Sequence, residues 1–194
     1  MKSKLRILML TKYFQLKARG GSEQSAYHLA KSLKERGHQV SFKFSFLARP
    51  DVIHIHSPSF LPLAVIIGKL FNIPTVLTVR DYYLICPLGF CLWQKNRACS
   101  LAEFISHDIP TYAKSYPSTV LSPLLHFGVR LQSRFLRFFA HQVDQIVCVS
   151  QAQRKIFIAN GFNCQVIYNT FDFPKVSRVA RKNQIIFVGR LPPG

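Results

Sequence analysis

Short apolar runs alternate along this chain with longer stretches whose apolar residues recur at helical spacing, and few folds accept that rhythm. Leu5–Leu10, Val52–His56, Thr75–Val79 and Gln145–Val149 are each too short and too uniformly apolar to be amphipathic helices. Strands of this kind, separated by helical patterns, are βαβ units around a parallel sheet buried on both faces. The intervening pattern is clearest after Gly20-Gly21, where Ala26, Leu29, Ala30 and Leu33 mark one helical face and Gly37 stops it. Ser22 reads as the cap of that helix and Glu23 as an acid suited to its first turn. Further helices are expected at Leu63–Phe71, Val120–His141 and Gln151–Asn160, and further strands at Val40–Phe46, Gln165–Tyr168 and Ile185–Val188. Residues 80–118 show no period and read as a long functional loop. The expectation is an α/β, Rossmann-like parallel sheet flanked by helices.

Open α/β sheets place ligands beyond the carboxyl ends of their strands. That rule gathers the segments around residues 10–21, 56–60, 80–87 and 150 into one crevice. Gly20, Gly21 and Ser22 open a helix whose free N–H groups suit an anion. His54 and His56 share one side of their strand, with His56 or Ser57 reaching the crevice. Arg80 carries a fork able to clamp phosphate or carboxylate, and Asp81 can orient it or accept from a sugar hydroxyl. A surface ion pair between the two is the plainer alternative. Ser150 stands at another strand end.

Several classes are disfavoured. Cys86, Cys91, Cys99 and His107 are separated by 4, 7 and 7 residues, unlike the close pairs of structural zinc sites, so no metal is expected. Five cysteines, an odd count, suggest free thiols in a reducing cytoplasm. The N-terminus lacks a signal-peptide core, and Leu61–Val79 is interrupted by Pro62, Lys69 and Pro74, unlike a spanning helix.

Charge is the other constraint. Lys and Arg number 26 against 8 Asp and Glu, a formal net charge of +18, which calls for an anionic partner. No nucleic-acid motif accompanies it. In the long helix Phe127, Leu131, Phe135 and Phe138 form an apolar stripe beside Arg130, Arg134, Arg137 and His141. Such a helix suits an anionic membrane interface, with Arg130, Arg134 and Arg137 facing the lipid, or else packs its apolar stripe on a core.

Several stretches resemble glycosyltransferase family 4. They are Gly20-Gly21-Ser22-Glu23 with the following helix to Val40, Asp51–Pro58, Thr78–Pro87 (against the pattern T-x-H-D-x-x-x-I-C-P), Val143–Ser150, Val166–Asp172 and Phe187–Leu191. Arg80 stands at the histidine of that pattern, and the segment before Asp51 is shorter than in the family. The resemblance implies the N-terminal half of a GT-B glycosyltransferase: residues 1–173 an acceptor-binding domain, 174–183 a linker, and 184–194 the first strand of a truncated donor-binding domain. It implies retaining transfer from a nucleotide-diphosphate sugar, with the donor and its binding residues belonging to the missing C-terminal half. The acceptor is then a glycan or lipid-linked glycan at the inner face of a membrane, and no cofactor binds this half. The alternative is a non-catalytic module that holds anionic membrane or glycan.

Overall fold

A computed structural model describes residues 4–12, 21–45, 48–86, 89, 103, 105–106, 110 and 123–169. Six parallel strands lie in the order β2-β1-β3-β4-β5-β6: β1 Arg6–Leu10, β2 Gln39–Ser41, β3 Val52–Ile55, β4 Thr75–Val79, β5 Gln145–Cys148 and β6 Cys164–Val166. Helix α1 spans Gly21–Glu35, α2 Leu61–Phe71, α3 Pro123–Ala140 and α4 Gln151–Ala159. The Rossmann-like expectation holds. The expected linker 174–183 and strand Ile185–Val188 lie outside the described residues, as do most of 80–118 and Gly20.

Alternation along the strands separates two cores. Leu8, Ile53, Ile55, Leu77, Ile146, Cys148 and Cys164 pack into the larger cluster with Leu61, Val65, Leu136 and Phe157, whereas Met9 joins Ala26 and Ala30 of α1 on the other face. Connections from β3 through β6 step one way along the sheet, and right-handed crossovers put α2, α3 and α4 together on the larger core. The β1-to-β2 connection steps the other way and carries α1 to the opposite face.

Two elements differ from expectation. Strand β2 ends at Ser41 instead of continuing to Phe46. Phe42 packs with the Met9 cluster and Phe44 with the larger core, against Phe71 at 6.0 Å, so these two residues leave strand alternation to begin the crossover. That crossover reaches β3 without a helix, so the short segment before Asp51 leaves the sheet continuous. Ser22 is not a cap. It lies inside α1, and its hydroxyl donates to Glu23 Oε2 at 2.8 Å.

The lower end of the sheet is fastened by two aspartates. Asp51 accepts from the Arg6 N–H at 2.7 Å and pairs with its guanidinium at 2.9 Å. Asp144 accepts from the Thr75 N–H at 2.8 Å and its hydroxyl at 2.7 Å, joining the starts of β4 and β5. Gly68 lets α2 approach β4. A Cβ there would lie 2.6 Å from Thr75 Cγ2 and 2.9 Å from the Ile73 carbonyl oxygen.

Helix α3 turns Ser133, Leu136 and Ala140 inward, while Leu131, Phe135 and Phe138 face outward. The apolar stripe recognised in the sequence is therefore not the side that packs on the core. No helix among the described residues is long and apolar enough to cross a membrane.

Candidate functional site

Strand order reverses direction between β1 and β3, and chains leaving such a pair diverge to open a crevice. A cleft of about 170 Å³ opens there. Thr11 and Lys12 follow β1, His56, Ser57 and Pro58 follow β3, Arg80 and Asp81 follow β4, and Ser22 and Glu23 come from the first turn of α1.

Arg80 organises the cleft. Its Nη1 donates to the Ser22 carbonyl oxygen at 2.7 Å, and its Nη2 lies 3.1 Å from His56 Nδ1. Because a guanidinium only donates, His56 Nδ1 accepts and the ring proton sits on Nε2. Both His56 Nε2 and Arg80 Nε are buried without a hydrogen-bond partner among the described residues. Buried donors of this kind are costly unless something accepts from them. The guanidinium is held by a backbone carbonyl and an imidazole, with Glu23 acting on it only through space. Burial lowers its pKa below the usual arginine value, yet an arginine stays charged. Two N–H donors and a cation beside a helix N-terminus are groups chemically able to receive an anion.

His54 lies behind this pair, its Nε2 2.8 Å from Thr78 Oγ1 and its ring 4.1 Å from that of His56. Burial, reinforced by Arg80, lowers the His54 pKa to about 4. Burial, with His54 and Arg80 adding to it, lowers that of His56 to about 2. Both rings are neutral in the folded protein at neutral pH. The unfolded chain takes up protons near pH 6.5 that the folded chain refuses, so their contribution to stability is complete above that pH and is lost as pH falls. Urea unfolding should therefore show stability declining from pH 6.5 towards pH 4. His141, lowered by burial and Arg137, adds a slope of the same sign. A double variant His54→Asn/His56→Asn should be less steep, and an unchanged slope would refute the assignment.

The other anticipated residues divide. Ser22 and Asp81 line the cleft, and Gly21 begins α1 with open space where a Cβ would stand. Asp81 Oδ1 accepts from the Tyr83 N–H at 3.0 Å and so shapes its own turn. Ser150 is not among the lining residues. Its hydroxyl caps α4 by accepting from the Gln153 N–H at 3.1 Å. Arg137 is half-buried, donating to the Asn160 carbonyl oxygen and lying 5.2 Å over the Phe162 ring, whereas Arg134 is exposed. Ser57 also lines the cleft, whereas Thr11 and Lys12 were not singled out in the sequence, although the strand-end rule that reached His56, Ser57 and Arg80 reaches them too. Among the described residues no three His, Cys, Asp or Glu side chains gather as metal ligands, and Cys91, Cys99 and His107 lie outside those residues.

Comparison with known proteins agrees with this architecture. Two crystal structures of Alr3699/HepE from Anabaena superpose on the chain, one in complex with UDP-glucose (TM-score 0.49, 18% identity) and one with UDP and glucose (TM-score 0.51, 17% identity). Each match covers 87% of this chain but only 44% and 45% of HepE, so the chain spans less than half of HepE's length. No curated protein sequence matches it. The sequence profile of Glycosyltransferase Family 4 matches residues 42–173, about two thirds of the chain. This match runs from the crossover before β3 through the cleft-forming turns to the segment after β6, and with it the chain belongs to glycosyltransferase family 4.

Proposed function

We propose that this domain forms the acceptor side of a retaining, nucleotide-sugar-dependent glycosyltransferase, and that its cleft holds an anionic group of the acceptor. The observation that carries this reading is the Arg80–His56 pair, with two buried donors that have no partner among the described residues, beside the α1 N-terminus. A neutral hydroxyl needs no such charge, whereas a phosphate or carboxylate accepts from several donors at once. The donor in the complete enzyme is a nucleotide-diphosphate sugar, the class seen with HepE. In this reading residues 1–173 are the acceptor domain, 174–183 a linker and 184–194 the opening strand of a donor-binding domain. The acceptor is a glycan or lipid-linked glycan, and a lipid-linked one brings the domain to an anionic membrane on the cytoplasmic side.

Chemically, Arg80 orients and neutralises the acceptor's anionic group while His56 Nε2–H donates to it. Asp81, at the cleft edge, is placed to accept from an acceptor hydroxyl. Donor activation belongs to the other half, so this chain alone should not catalyse transfer.

The test is binding of glucose 6-phosphate, with glucose as the control, followed through the side-chain NMR signals of Arg80 and His56. Signals that move with the phosphorylated sugar and stay still with glucose support the anion site. No movement, or equal movement with both, refutes it. Transfer from UDP-glucose by the isolated chain would refute the division of labour.

A further inference from the structure

The outward sides of α2 and α3 carry side chains that a solvent-facing layer does not need. Leu63, Ile66 and Leu70 on α2, with Leu131, Phe135 and Phe138 on α3, are between 47% and 73% exposed. The inward sides are already occupied: Leu61, Ala64, Val65 and Gly68 of α2, and Leu136 and Ala140 of α3, are buried. The outward apolar residues are therefore additional to the core. The two helices pack side by side on the same face of the sheet, so their exposed rows adjoin. Phe135 and Phe138 also join through Phe139, with ring centroids 4.9 Å and 5.4 Å from it. Patches of this extent on a folded domain mark a docking surface.

Charge identifies the occupant. Helices α2, α3 and α4 contain Lys69, Arg130, Arg134, Arg137, Arg154 and Lys155 and not one Asp or Glu, whereas α1 on the opposite face carries Glu23 and Glu35. Arg137 and Arg154 are drawn to the Asn160 and Cys164 carbonyl oxygens, while Lys69, Arg134 and Lys155 stay exposed. Asp144 beside Lys69 offsets only part of this charge, so a second copy of this chain would bring a like excess of cations to the contact and be repelled. An anionic bilayer supplies what both features require, acyl chains for the apolar rows and headgroup phosphates for the rim.

We propose that the α2–α3 face docks on an anionic lipid bilayer, with Leu70, Phe135 and Phe138 entering the headgroup–acyl boundary and Lys69 and Arg134 at the phosphates. This deepens the membrane reading above by naming the surface, and it does not depend on the Arg80 cleft. The cleft opens at the strand ends, away from the outer side of the helical layer.

The experiment is flotation of the chain with vesicles of equal parts phosphatidylcholine and phosphatidylglycerol, and with phosphatidylcholine alone, at low salt. Flotation with the anionic vesicles is expected, much reduced on the neutral ones and weakened by added salt. The variant Leu70→Ser/Phe135→Ser/Phe138→Ser should bind at least about tenfold more weakly. Its changes are all at exposed positions, so far-ultraviolet circular dichroism should be unaltered. Lys69→Glu/Arg134→Glu should lose binding by a similar factor and decides the matter alone if the serine variant unfolds. No flotation of the unaltered chain, undiminished flotation of these variants, or a sedimenting dimer without vesicle binding would overturn the proposal. Arg80→Ala should float normally, so docking and acceptor recognition fail separately.

Discussion

Arg80→Ala should reduce affinity for a phosphorylated acceptor, and transfer to it by the complete enzyme, about 100-fold. A charge-assisted bond to a ligand anion in a water-poor cleft contributes about 3 kcal/mol, and 1.4 kcal/mol is a factor of ten. The substitution also removes the donor that fixes the His56 tautomer, 3.1 Å from Nδ1. His56 can then turn or exchange its ring proton, and its Nε2–H is no longer directed. Arg80→Lys should recover little, because a lysine ammonium lacks the planar fork that reaches the Ser22 carbonyl and His56 together. Parallel measurement of glucose 6-phosphate binding and thermal stability separates the roles. A loss of binding with near-normal melting supports a ligand-holding arginine. Loss of both in proportion would make Arg80 a structural tie between α1 and β3.

The largest expected stability effect lies in α4. Phe157→Ala should destabilise the fold by about 4 kcal/mol, from lost burial and the cavity left behind. Phe157 is fully buried, its ring centroid 5.4 Å from that of Phe162 and 6.4 Å from that of Tyr82. Phe162 in turn stacks on His141 at 4.3 Å and receives the Arg137 guanidinium, so the site cannot collapse without moving the end of α3. For a chain of this size the melting temperature should fall by roughly 10 °C. Tyr82 follows Asp81 directly, so the cleft turn should loosen as well and acceptor binding weaken. A change below about 1 kcal/mol would mean the neighbouring rings repack freely.

The sheet was legible because its strands are buried on both faces and read as uninterrupted apolar runs. Val52–Ile55 and Thr75–Val79 came out within a residue. Strand β2 was not, because Phe42 and Phe44 keep a strand-like spacing in sequence while serving different cores in space. One geometric rule about strand ends reached His56, Arg80 and Asp81, which line the cleft, and Ser150, which caps α4 instead. A serine after a strand can face the crevice or cap the next helix, and only the Gln153 N–H decides which. The outward direction of the α3 stripe was also hidden. Periodicity shows that Leu131, Phe135 and Phe138 share a side, whereas packing decides whether that side meets the sheet.

The turns that line the cleft leave β1, β3 and β4, and each of these strands is hydrogen-bonded to a neighbour on both sides. Among the described strands β2 and β6 form the edges. Amide protons of the three inner strands should therefore exchange with solvent only through global opening, while those of β2 exchange through local fraying. In a denaturant titration the cleft should then survive the loss of either edge and vanish with the whole sheet, so release of an acceptor bound there and unfolding would trace a single transition.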